Sequence, residues 1–252
     1  MAVAIGKNQV MLWIKQQHMV QRYLQKRQNA IKITILHIRK KTYDMNKATL
    51  SLLAALGLAS CTCNQQDRLV SDVVEKVIMT RRSIRNYKPQ PVSRDTMTRI
   101  LKAGINAPNG KNRQAWEIRV VDNPEFINQI NEAMAEANPD IPFAKNAFRG
   151  APVIAFIAKD TTYDFSETDC GLLAENMILS AWSMGIGSVC LGSPVRFLDA
   201  TEEIAAVPKV KEVMKRLNFS QGYKLSICIG FGYPNEEPAA KPRDESKYKF
   251  VD

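Results

Sequence analysis

Within seven residues, Arg81, Arg82, Ser83 and Arg85 precede Tyr87, and a second basic pair, Lys241 and Arg243, lies near the far end of the chain. A guanidinium is a rigid planar fork that matches phosphate oxygens two at a time, and a serine hydroxyl or a backbone N–H fills the remaining lone pairs. The two basic groups together are equipment for gripping a phosphate from two sides. Taken singly, such a run is equally the solvated side of a charged turn. Two further segments carry turn chemistry: Pro108, Asn109, Gly110 and Asn112, and Cys190, Leu191, Gly192 and Ser193. Proline fixes a turn, glycine lets backbone come close, and asparagine brings both donor and acceptor.

What is missing narrows the chemistry further. The only histidines are His18 and His37, so the chain from Cys61 onward has none. That excludes Ser-His-Asp and Cys-His hydrolysis, histidine-ligated metals and histidine proton relays for this part. Its cysteines, Cys61, Cys63, Cys170, Cys190 and Cys228, show no CxxC or paired spacing for zinc or a redox dithiol, and the last three sit in apolar segments, where a thiol behaves as a small core hydrophobe. No metal site and no catalytic side chain are assigned, and Glu175 is too generic to cast as a general acid. A borrowed cofactor that performs the hard step needs only binding and electrostatic tuning from protein.

The formal charge of +10 suggests a nucleic-acid partner until its distribution is read. Residues 1–44 hold nine Lys/Arg against one acidic residue, Asp44; the rest of the chain has 26 basic against 24 acidic residues. The main domain is therefore nearly neutral, and no nucleic-acid partner is expected. From Met45 the sequence reads as an export signal: Lys47, an apolar run from Ala48 to Ala59, then small residues before Cys61. Leu58-Ala59-Ser60-Cys61 resembles a bacterial lipobox, which implies cleavage before Cys61 and a lipid anchor on it. The run is shorter than the ~20 residues that span a bilayer. Residues 1–44 are then upstream sequence read from a misplaced start codon, 45–60 a lipoprotein signal peptide, 61–68 a tether and 69–252 the folded domain. The expected location is the bacterial cell envelope, on the periplasmic or outer-membrane side, or the cytoplasm if the signal is not used.

The phosphate equipment has to be positioned by regular elements. Leu69, Val73, Val74, Val77 and Ile78 keep a helical face up to the arginine cluster, which lies just past the helix end. Ser93 caps a second helix carrying Met97, Ile100, Leu101 and Ile105. Trp116 to Val121 reads as a strand, and Asn123-Pro124 opens a helix bearing Phe126, Ile127, Ile130 and Met134. Residues 137–150, with Pro139 and Pro142, read as a loop or lid. The uniformly apolar run from Val153 to Ala158 fits a central strand covered on both faces. Thr168 to Met184 is the longest helix, with Leu172, Leu173, Met177 and Ala181 facing inward and Asn176 as a satisfied buried amide; Trp116 is expected in the core. Gly185 and Gly187 end that helix and launch a strand to Leu191; helical turns between Leu198 and Leu217 break at Pro208, and Leu225 to Phe231 is the last core strand. The chain is one α+β domain.

Four segments in this order resemble the FMN-dependent nitroreductase family: Arg81 to Arg85, Ala107 to Trp116, Gly185 to Ser193, and Lys241-Pro242-Arg243. The resemblance runs from about Val77 to the C-terminus. It implies a nitroreductase-like fold, with a central, mainly antiparallel sheet flanked by helices and an extended C-terminal tail. It also implies a homodimer holding FMN at the subunit interface. Arg81, Ser83, Lys241 and Arg243 match the phosphate grip, with Arg82 and Arg85 near phosphate and ring. Pro108, Asn109, Gly110 and Asn112 match the loop that reaches the partner's flavin; Asn109 stands where the family commonly has Ser, and Ala115 where it has Pro. Cys190, Leu191, Gly192 and Ser193 match the strand end lining the ring.

The resemblance implies an oxidoreductase that takes electrons from NAD(P)H, or another reductant, and passes them in ping-pong fashion to a nitroaromatic, quinone or similar acceptor. Both half-reactions would use one site, so no separate dinucleotide fingerprint is required. The acceptor pocket is expected from residues 137–150 and neighbouring loops. A different class is also open: a non-catalytic, flavin-binding or flavin-scavenging lipoprotein.

Overall fold

A computed structural model describes residues 25, 26, 32 and 65–251 of the chain. The signal sequence, Cys61 and nearly all of the upstream extension lie outside the described residues. Helix α1 (Gln65–Thr80) begins four residues ahead of Leu69, inside the stretch read as a tether. Val73, Val74 and Ile78 on it are 59%, 54% and 49% exposed, so its apolar stripe faces solvent in the single chain.

The remaining elements are α2 (Arg94–Ile105), β1 (Trp116–Val121), α3 (Pro124–Ala137), β2 (Val153–Asp160) and α4 (Ser166–Ser183). After them come β3 (Gly187–Leu191), α5 (Ser193–Asp199), α6 (Glu202–Ala206), α7 (Pro208–Leu217) and β4 (Tyr223–Gly232). The four strands form one sheet in the order β1-β2-β4-β3, and every neighbouring pair is antiparallel. This is the expected α+β arrangement, an antiparallel sheet with helices on both sides.

The two faces of β2 explain its unbroken apolar sequence. Val153, Ala155 and Ile157 pack with Ile229 and Phe231 against α2 and α4. Ile154 and Phe156 point the other way, into a cluster with Phe148, Phe126, Ile130 and Val213 of the α3 and α7 side. A strand with helices over both faces has no solvent side on which to alternate. Burying each large side chain here contributes about 1.5–3 kcal/mol.

Local signals fix where the helices start and cross. The Ser93 hydroxyl accepts the Thr96 N–H at 3.1 Å, and Asn123 Oδ1 accepts that of Phe126 at 2.8 Å. At Gly104, α2 lies so close to α4 that an added Cβ would fall 2.4 Å from Met177 Cγ. Asn176 donates from Nδ2 to the Ala103 carbonyl across this contact at 3.2 Å. Leu172 departs from the expected pattern: it is 42% exposed. Leu173, Ala174, Met177 and Ile178 already fill the packed stripe of α4, which turns Leu172 outward.

Candidate functional site

The arginine cluster is not a free turn. Past α1 the chain runs beside β3, with a parallel bridge from Ser83 to Ser188 and the Ile84 N–H donating to the Ser188 carbonyl at 2.9 Å. Ile84 is fully buried against Gly187, where an added Cβ would lie 2.7 Å from Ile84 Cγ1. One buried isoleucine thus holds a row of arginines at the sheet edge.

The segment after β4 is stitched to the same row. The Lys88 N–H donates to the Tyr233 carbonyl at 2.9 Å, and that of Asn235 to the Asn86 carbonyl at 3.0 Å. Glu236 Oε1 accepts the Arg85 N–H in a short contact and the Asn86 N–H at 3.1 Å. Tyr87 donates its hydroxyl to the Ile84 carbonyl at 2.6 Å; burial, reinforced by Glu236, keeps this phenol protonated far above its usual range. The tail beyond Glu236 therefore leaves alongside the arginines.

The consequence is a cavity of about 450 Å³ walled by Arg81, Arg82, Ser83 and Arg85 on one side and Pro238 to Arg243 on the other, with Ile78 and Met79 of α1 at its edge. The four residues expected to grip the phosphate, Arg81, Ser83, Lys241 and Arg243, line it, and so do Arg82 and Arg85, expected near phosphate and ring. They are not equally available. Arg82 donates from Nη1 to the Met79 and Arg81 carbonyls at 3.0 and 2.8 Å, capping the negative end of α1. Arg85 and Arg243 make longer bonds to the Ser83 and Lys241 carbonyls, at 3.3 and 3.4 Å. Arg81 faces Glu175 at 4.0 Å. One carboxylate opposite several cations leaves the cavity net positive, which suits a phosphate monoester of about −1.5 to −2 charge.

The strand-end segment adjoins this cavity through Arg81 and Glu175. Cys190 departs from the expected core thiol: it is exposed, while Cys170 and Cys228 are buried. Crowding by neighbouring atoms and then the Glu175 charge raise its pKa, and Arg81 opposes the rise. Leu191 is buried in the sheet, so only its backbone can serve a ligand. Gly192 is exposed, and an added Cβ there would meet nothing within 4 Å.

The loop of Pro108, Asn109, Gly110 and Asn112 lies elsewhere and does not line the basic cavity. Its groups are largely committed to holding its own shape. The Gly110 N–H donates to both oxygens of buried Asp169 at 3.0 and 3.2 Å, and Asn109 Oδ1 accepts the Gln114 N–H at 2.9 Å. Gly110 is required by a close approach, though not to a ligand: its Cβ would stand 2.1 Å from the Tyr163 hydroxyl. Lys111, Asn112 and Gln114, on either side of right-handed Arg113, have φ of 54°, 53° and 50°, left-handed residues in an exposed part of the loop. Lys145, Asn146, Phe148 and Gly150 line a different cavity, which shares no residue with the basic one.

Two residues that matter here carried no readable signal. Glu236 is one carboxylate in a polar tail, and Glu175 one in an amphipathic helix; only the pairing of distant segments reveals what each faces.

The whole arrangement has relatives. An Archaeoglobus fulgidus protein with the provisional name NADH dehydrogenase/NAD(P)H nitroreductase is 32% identical over 164 residues, covering 64% of this chain and 86% of that one. The NADPH-flavin oxidoreductase of Vibrio harveyi is 27% identical over 180 residues, 67% of this chain and 68% of its own length. A Desulfitobacterium hafniense nitroreductase crystallised with bound FMN superposes with a TM-score of 0.63 at 28% identity, covering 71% of this chain and 98% of that one. The family description that matches residues 78–233 spans the sheet, both helical layers and the arginine row: this chain belongs to the nitroreductase family.

Proposed function

We propose that the chain is an FMN-dependent oxidoreductase that draws on NAD(P)H, and that the basic cavity is its phosphate grip. The observation that carries this reading is the convergence of Arg81, Arg82, Ser83, Arg85, Lys241 and Arg243 from opposite ends of the domain on one cavity. Bound there, FMN would supply two-electron transfer from NAD(P)H to a nitroaromatic, quinone or similar conjugated acceptor, in ping-pong order. Arg81, Ser83, Lys241 and Arg243 would hold the phosphate oxygens, each charged hydrogen bond contributing about 1.5–3 kcal/mol. Arg82, already bonded to the end of α1, adds charge more than new bonds. Arg85, whose backbone is tied to Glu236, would bring a cation towards the ring, where it would stabilise an electron-rich flavin. The exposed backbone around Gly192 leaves room for a ring to approach the strand end.

The reading extends to a homodimer. The solvent-facing apolar stripe of α1 and the loop at 108–112 are the surfaces a second copy would cover, the loop then reaching that copy's cofactor. Acylation of Cys61 and residence in the cell envelope complete the proposal; loss of a fatty-acid label on Cys61→Ser would support the anchor.

The test is anaerobic. Purified protein should take up FMN, lose its yellow colour on adding NADH or NADPH, and regain it on adding a nitroaromatic. A yellow protein that no nicotinamide bleaches is the flavin-binding lipoprotein instead, and a protein that takes up no FMN refutes both readings.

A further inference from the structure

A second cavity lies between the start of α2, the end of β1, α3 and residues 145–153, with a volume of about 550 Å³. We infer that it is a second binding site, for a small organic anion with an apolar body, and that it works independently of the cofactor reading above.

Its walls are preformed. Pro89, Pro91, Pro124 and Pro152 all line it, and proline has a fixed φ, so four sides of the cavity cannot collapse by backbone rotation about that bond. Its floor is apolar: Val92, Ile127 and Phe148 are 5%, 8% and 1% exposed, and Phe148 is locked edge-on to Phe156 at 5.8 Å. The rim holds unusual backbone. Arg149 and Gly150 have φ of 57° and 72°, consecutive left-handed residues that swing the chain around the opening. A non-glycine residue in that region costs free energy and is characteristic of ligand clamps. The Arg149 guanidinium is itself anchored over the Phe143 ring at 4.0 Å.

Polar groups on these walls select the charge. Three carboxylates on or beside these walls are engaged: Asp122 accepts two bonds from Arg94, at 2.6 and 3.0 Å, and Glu132 and Glu136 both face Lys209. Lys145, on the wall, forms no ion pair among the described residues. Asn131 also lines the cavity, yet its Oδ1 is shut away from solvent and accepts no hydrogen bond among the described residues. A buried amide oxygen without a donor is uncommon and costly. Turning this amide would present Nδ2, a donor, to a carboxylate in the cavity. A cavity of this size, with an apolar floor, one open cation and one unsatisfied amide, fits an aromatic carboxylate.

The probe is 2-naphthoate, followed by ligand-observed NMR on the purified full-length chain, with and without added FMN. One molecule is expected to bind per chain in both conditions. Lys145→Glu, at an exposed position, should weaken binding about tenfold or more, the scale of one charge-assisted hydrogen bond. Asn131→Asp should weaken it as well, and neutral 2-naphthylmethanol should bind more weakly than the acid. Circular dichroism and FMN uptake of both variants should match the parent. Absence of binding at millimolar 2-naphthoate overturns the inference, as does binding that Lys145→Glu leaves unchanged. Displacement of 2-naphthoate by FMN also overturns it, because the acid would then occupy the basic cavity.

Discussion

The two cavities are built on opposite plans. The basic one is assembled by backbone pairing between segments some 150 residues apart, as the Arg85 to Glu236 separation of 151 shows, and its walls are charged and half exposed. The other is enclosed by prolines and core side chains. The first depends on the register of a stitched edge, the second on core packing. The charged groups of either site can be altered without unfolding the protein, whereas the apolar walls of the second cannot.

The largest separation of the two should come from Arg81→Ala with Arg243→Ala. Removing two charged donors predicts at least about a hundredfold loss of FMN affinity. Thermal stability and 2-naphthoate binding should stay as in the parent chain. Next is Gly187→Val. Its Cβ would press on Ile84, 2.7 Å away in the parent geometry, so overpacking should lower stability by about 1–3 kcal/mol by urea denaturation. FMN affinity should fall with it, because Ile84 carries the arginine row.

Glu236→Ala should have a smaller effect. It strips the acceptor from the Arg85 and Asn86 N–H groups, at an exposed site where each can turn to water. FMN titration should show weakening of several fold, with partial recovery in Glu236→Gln; an unchanged affinity would mean the tail does not need its stitch.

The cysteines offer the mildest test. Cys190 should react with a thiol reagent in the native state, and Cys170 and Cys228 only on unfolding, as peptide mapping will show. Burial raises the Cys170 pKa to about 11, whereas a thiol in an unfolded chain ionises near about 8.5. The neutral thiol is thus favoured by the fold. Its stabilising contribution is complete below the unfolded value and is lost as pH rises towards about 11, so alkaline melting curves should flatten in Cys170→Ala.

How much of this could be read from the chain follows the same division. The strand from Val153, the caps Ser93 and Asn123 and the basic forks were legible, because each depends on local spacing or on residue type. The apolar cavity was not, since residues 145–150 read only as part of a loop or lid and no local pattern ties them to the start of α2 or to α3. Leu172 and Cys190 misled for a related reason: apolar character says that a side chain tolerates burial, and only packed neighbours decide whether a given position is covered. The loop at 108–112 was found as a turn, but its Gly110 serves Tyr163 and Asp169, contacts that join residues more than fifty positions apart.

The most direct test of the central claim compares FMN with riboflavin, which differs only by the phosphate. Equilibrium titration should give riboflavin an affinity at least about a hundredfold weaker than FMN, and the double variant Arg81→Ala, Arg243→Ala should erase most of that gap. Equal affinities for the two flavins in the parent chain would contradict the assignment of this cavity as a phosphate grip.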